Sequence, residues 1–176
     1  MDYKIKQMIG NENTHRYVLA SECTSPLVVI GVNPSTANET KPDPTVRKVM
    51  GFAERNNCDG FIMLNLYPQR STNFASVHQK RSEELHQNNL DAIKRYFDGF
   101  EELKVLVAWG NLAGKRTYLL DCFRDIASVL SENNRKVSWL QIGELTKSKH
   151  PRHPLYARYD LNLGPFDIGD YLKKIK

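Results

Sequence analysis

Three short, almost unbroken runs of aliphatic and β-branched residues constrain this chain most: Leu27–Val32 (LVVIGV), Phe61–Leu64 (FIML) and Leu103–Trp109 (LKVLVAW). A strand with one wet face alternates apolar and polar residues. A continuous apolar run needs cover on both faces. Helical spacing separates the runs. After the first, Asp43 stands as a helix cap before Pro44 at the first helical position. Val46, Val49, Met50 and Ala53 then recur at helical intervals. After the second, Ser82 to Phe97 carries Leu85, Asn89, Ile93 and Phe97 on one stripe, with Leu90 beside it. After the third, Leu112 to Leu130 reads as helix with a break near Cys122. Tyr17–Ala20 and Val137–Ile142 read as further strands, Phe74–Val77 as a loop or short helix, and 166–175 as a short amphipathic helix. This alternation predicts an α/β fold: a three-layer α/β/α sandwich with a mainly parallel central sheet, wound by right-handed crossovers. With 176 residues, a single domain over 1–176 is expected.

Composition narrows the partners. Lys and Arg number 25 against 20 Asp and Glu, a net charge of +5, which permits a DNA or nucleotide ligand without requiring one. The 3 cysteines, Cys23, Cys58 and Cys122, are scattered and odd in number, so neither a disulfide framework nor a thiolate zinc site is expected. The opening MDYKIKQMIG lacks an apolar signal core, and no run is long enough to cross a membrane. A cytoplasmic protein is therefore expected, with no membrane partner. No repeat is present, and protein partners are not specified by the sequence.

In a parallel sheet, ligands bind beyond the carboxyl ends of the strands. Asn33, Asn65 and the pair Gly110-Asn111 all follow predicted strand ends, so these polar sites are expected to converge. Asn33 can orient a water or hold a ligand through its amide, or cap the next turn. Ser35 can meet a phosphate or cap. Asp43 is a cap, with a base, a metal ligand or a substrate contact as its alternatives. Asn65 can match the donor–acceptor edge of a base or be satisfied internally. Tyr67 can stack on a planar ligand or pack, and Arg70 can meet phosphate or solvent. Asn111 and Lys115 are placed to line the cleft. The basic loop SKHPRHPLYAR carries Lys149, His150, Arg152 and His153. Either histidine can donate to charge on a leaving group, and the cations can hold phosphate. Leu155 or Tyr156 can wedge or stack into a base step. The two histidines lack matching cysteine or carboxylate spacing, so no metal and no cofactor is implied. His15, His78 and His86 are isolated and expected at the surface.

RYVLA, GVNPSTANETKPDPTVRKVMGFA, NLYPQRSTN, VAWGNLAGK and SKHPRHPLY, in this order, resemble the uncharacterised DUF1643 family. A more distant resemblance is to the uracil-DNA glycosylase superfamily, which shares the α/β/α fold and cuts base–sugar bonds. GVNPS at Gly31–Ser35 is similar to its GINPG motif, which implies that Asn33 orients the attacking water. Ser35 replaces the final glycine, and the aspartate of the main branch is Asn33 here. IMLN at Ile62–Asn65 implies base-edge recognition by Asn65. AWGNLAGK resembles a strand-to-helix segment at Trp109–Lys115. HPRHPL resembles the HPSPLS loop, which implies a leaving-group histidine at His150, with His153 its rival, and a wedge at Leu155.

These readings together lead to a uracil-DNA glycosylase-like hydrolase of an N-glycosidic bond in DNA or a modified nucleotide. The alternatives are a non-enzymatic nucleic-acid or nucleotide binding protein and an enzyme on a small phosphorylated metabolite.

Overall fold

A computed structural model describes residues 1–174. Seven strands form one sheet in the order β1-β2-β4-β3-β5-β6-β7: β1 Ile5–Asn11, β2 His15–Ser21, β3 Pro26–Gly31, β4 Gly60–Asn65, β5 Glu102–Val107, β6 Lys136–Ile142 and β7 Leu163–Pro165. Helices α1 (Pro44–Arg55), α2 (Glu83–Tyr96), α3 (Tyr118–Leu130) and α4 (Ile168–Lys174) flank it. The sheet is mixed. β3 pairs in parallel with β4 and β5, and β5 with β6. The pairs β1–β2, β2–β4 and β6–β7 are antiparallel. A mainly parallel sheet was expected, but parallel pairing is confined to the four central strands. β1 and β2 are joined by residues 12–14, too short a link for a parallel crossover.

Alternate residues of the central strands feed two cores. Val28, Ile30, Ile62, Leu64, Val105 and Val107 pack with α2, α3 and α4. Leu27, Val29, Phe61, Met63 and Leu106 pack with Val46, Val49, Phe52 and Ala53 of α1 on the other face. The order β4-β3-β5 explains the two-sided cover. From β3 the chain crosses through α1 to β4, then returns over β3 through α2 to β5. Two right-handed crossovers in opposite directions put their helices on opposite faces. The winding reverses at β3, and such a reversal opens a crevice at the carboxyl end of that strand.

Several local expectations are corrected. Helix α3 runs unbroken through Cys122. The break falls at 116–117, after a 3-10 segment over Gly110–Lys115. His86 is buried (3% exposed), because α2 packs on α3 and its Nε2 bonds the Asp125 carboxylate at 2.9 Å. The last helix begins at Ile168, and residue 175 of the expected span lies outside the described residues. β1 and β7, edge strands with mixed burial, were not foreseen.

Arg135 ties the far end of the layers together. Its guanidinium donates to the carbonyls of Phe97 (2.7 Å) and Phe100 (2.8 Å), at and just beyond the end of α2, and of Leu130 (2.9 Å), which closes α3. Helix ends leave carbonyls without partners and carry partial negative charge, so one buried cation answers both needs. Arg135→Met should lower unfolding free energy by about 1.5–3 kcal/mol in urea titration, the range for losing charged hydrogen bonds to buried acceptors.

Candidate active site

Asn33 lies just past β3, and Asn65 is the last residue of β4, opposite Gly31 in parallel register. Arg16, Asn33, Ser35, Asp43, Asn65 and His153 line one small cavity of about 30 Å³ at this strand end. Such a volume holds one or two waters or a single functional group. A wider cleft of about 390 Å³ lies beside it, lined by Gly110, Asn111, Thr146, Arg152, His153 and Tyr156 among others. His153 belongs to both.

Each side chain is held by its local structure. Asn33 Nδ2 donates to the carbonyls of Pro34 (3.0 Å) and Ser71 (2.9 Å), which fixes the amide plane. Asp43 caps α1, with Oδ1 accepting from Val46 N at 2.8 Å and Oδ2 from Ala37 N at 3.3 Å. Its carboxylate thus joins the 33–37 loop to the helix start. Asn65 is 2% exposed, and its Nδ2 has no hydrogen-bond partner among the described residues. A Cβ on Gly31 would lie 3.1 Å from Asn65 Oδ1, so glycine gives that amide its room. Ser35 borders the cavity while its carbonyl accepts from Arg70 Nη1 at 2.7 Å.

The basic loop reaches the cavity because α1 anchors it. Lys48 Nζ donates to the Ala157 carbonyl (2.6 Å) and stands 3.9 Å over the Tyr159 ring. That ring packs on Gly51, where a Cβ would come within 2.5 Å of the tyrosine hydroxyl. His153 Nδ1 accepts from Leu155 N at 3.3 Å, so the neutral ring carries its proton on Nε2. Burial lowers the His153 pKa below its ordinary 6.5, opposed by the negative charge of Asp43. The imidazole is therefore a neutral donor at pH 7.

The remaining expected site residues lie outside the small cavity. His150 bonds Tyr171 Oη through Nδ1 (2.9 Å) and, with Lys149, lines a separate cleft of about 640 Å³ beside α4. Tyr67 is fully buried. Its hydroxyl meets His78 Nδ1 at 2.8 Å and accepts from Ser82 N at 3.1 Å, which leaves no face for stacking. Arg70 turns inward onto the carbonyls of Ser35 and Ala37. Asn111 and Arg152 line the wider cleft, where Asn111 Oδ1 accepts from Thr146 Oγ1 at 2.6 Å and Arg152 Nε donates to the Glu144 carbonyl at 2.9 Å. Leu155 is 37% exposed at the neighbouring 3-10 turn, beside the far more exposed Tyr156. Lys115 is exposed at the end of the 3-10 segment after β5.

The cavity includes one residue that the sequence reading passed over, Arg16 of β2. Its signal is a charged residue set directly before the apolar run Tyr17–Ala20 of the strand HRYVLAS, and that cation is 2% exposed. Among the described residues no group of three or more His, Cys, Asp or Glu is arranged to hold a metal ion, and no helix is long and apolar enough to cross a membrane.

The DUF1643 family, described as a protein of unknown function, matches residues 16–155. The chain belongs to this family. The matched span runs from the cavity arginine, Arg16, to Leu155 and contains every residue named above as lining the small cavity. No curated protein and no solved structure matches the chain.

Two predictions follow from the His153 environment. Gly110 has φ +67°, and a Cβ there would lie 2.9 Å from His153 Cβ. Gly110→Ala should therefore shift the His153 ring signals in NMR spectra and cost about 1–2 kcal/mol, because backbone and contact are both strained. His153 should also titrate below pH 6.5 as the Nε2–H tautomer. Since the unfolded chain then binds the proton more readily, its share of stability is complete above pH 6.5 and is lost as pH falls through the folded midpoint. Nitrogen-detected NMR and denaturant titrations between pH 5 and 7.5 check both, and His153→Gln should flatten the slope.

Proposed function

We propose that this protein is a hydrolase of the N-glycosidic bond in DNA or in a modified nucleotide, with an architecture akin to uracil-DNA glycosylases. The observation that carries the reading is the convergence of Asn33, Asn65 and His153 on one polar cavity beside a cleft of nucleoside size. The sugar and base occupy the cleft, and the carbonyl edge of the base reaches the cavity. Asn65 reads that edge with its unpaired amide donor. The rigidly held Asn33 orients a water toward the anomeric carbon. The water oxygen bonds to that carbon, and the C–N bond breaks with its electron pair going to the base nitrogen. The water proton ends on the released base or in solvent. His153 donates from Nε2 to oxygen charge developing on the base, a contact that strengthens in the transition state. Arg152 at the cleft, with exposed Lys147 and Lys149 on the same loop, supplies attraction for backbone or nucleotide phosphate. In duplex DNA the target must leave the stack first, and Leu155 beside the cleft is suited to fill the gap.

A mass-resolved screen of oligonucleotides containing uracil, hypoxanthine or hypermodified bases, with free nucleotides alongside, tests the reading. A free base and an abasic sugar are expected. Asn33→Ala and His153→Ala should each slow base release by about 10²-fold or more at unchanged folding. Binding without base release, equal in wild type and Asn33→Ala, would instead identify a nucleic-acid or nucleotide binding protein. No product and no binding from any substrate would overturn both.

A further inference from the structure

The inner cavity holds a buried cation, Arg16, that makes no ion pair among the described residues. Arg16 Nη1 donates to the Ala37 carbonyl at 2.9 Å, while its buried Nε has no partner among the described residues. Arg70 Nη1 reaches the same carbonyl at 3.1 Å, and its own Nε is also buried and unpartnered among those residues. Neither guanidinium forms an ion pair among the described residues. Burial first, and then repulsion from Arg70, pull the Arg16 pKa down to about 10. Asp43 opposes this at longer range, its two oxygens being engaged by main-chain amides. Buried cations are ordinarily paired, and a lone one is costly to keep. Asn65 adds a second buried donor without a partner on the same cavity wall.

We infer that this cavity is a subsite for one negatively charged sp² oxygen of the ligand, received by Arg16 and Asn65. Its volume of about 30 Å³ suits one oxygen-sized group and is too small for a phosphate. Arg16 is then a ligand-binding residue. An oxygen drawn from the departing base rests on the glycosidic reading above. A carboxylate carries the same chemistry from another source.

The test observes the arginine Nε–H groups of ¹⁵N-labelled protein by NMR. Sodium formate is the probe, with sodium sulfate at matched ionic strength as the oversized control and free uracil and hypoxanthine as the base arm. The Arg16 signal, identified by its loss in Arg16→Lys, should shift saturably with formate and not with sulfate. Asn65→Leu should weaken formate binding at least tenfold. If Arg16→Lys does not fold, assignment in the wild-type protein gives the same signal. A shift with free base assigns the oxygen to a base, and a shift with formate alone assigns it to a carboxylate. Either supports the subsite. An Arg16 signal that does not respond, or that moves equally with sulfate, overturns it. Formate binding with no base released from any substrate removes the glycosidic reading and leaves the subsite. Base release without a saturable Arg16 shift removes the subsite and leaves that reading.

Discussion

The parallel pairing of β3 with a neighbour on each side is the constraint on which the rest depends. Pro26–Gly31 is in register with Gly60–Asn65 on one side, and Leu27–Ile30 with Lys104–Val107 on the other. Because all three strands run the same way, the segments that leave them emerge at one edge of the sheet. Because the crossover from β3 to β4 and the crossover from β4 to β5 run in opposite directions, α1 and α2 take opposite faces and do not cover the strand end between them. The polar residues at that end are thus exposed to one another and shielded from bulk water by the loops above.

Close approach at that edge is made possible by missing side chains. Gly31 leaves room for the Asn65 amide, Gly51 accepts the Tyr159 ring, and Gly110 admits the Cβ of His153. The last contact links the end of β5 to a loop some forty residues later. The loop needs a second anchor, supplied by Lys48 against the Ala157 carbonyl. Helix α1 therefore does two jobs. Its Asp43 cap steadies the 33–37 loop, and its outer face fixes the histidine loop, so the two walls of the cavity share one rigid support. Polar groups held in this way are pre-aligned for a ligand, which spares the cost of ordering them on binding.

Much of the scaffold was legible. The runs at 27–32, 61–64 and 103–109 supply the strands Pro26–Gly31, Gly60–Asn65 and Glu102–Val107, because continuous apolar residues tolerate no wet face, with Val32, Ala108 and Trp109 beyond the strand ends, and the Asp43-Pro44 pair starts α1 through local hydrogen-bonding chemistry. The edge strands were harder: half-exposed β1 and three-residue β7 gain order from their neighbours rather than from their own pattern. His86 looked superficial because a lone histidine carries no periodic signal, and only the packing of α2 on α3 buries it against Asp125. Asn65 and Asn33 were readable as strand-end amides. Their meeting with His153 rather than His150 was not, since two histidines three residues apart on a proline-bearing loop point to different clefts.

From the sequence alone came the α/β alternation, the helix starts, the apolar strands and the polar residues that follow them, since all of these arise from interactions within a few residues. Tertiary structure decided which strands lie side by side, which histidine joins the amides, and that Arg16 is buried near Arg70 with no ion pair among the described residues. Those outcomes depend on contacts between residues tens of positions apart, where side-chain volume and desolvation act only once the sheet has brought them together.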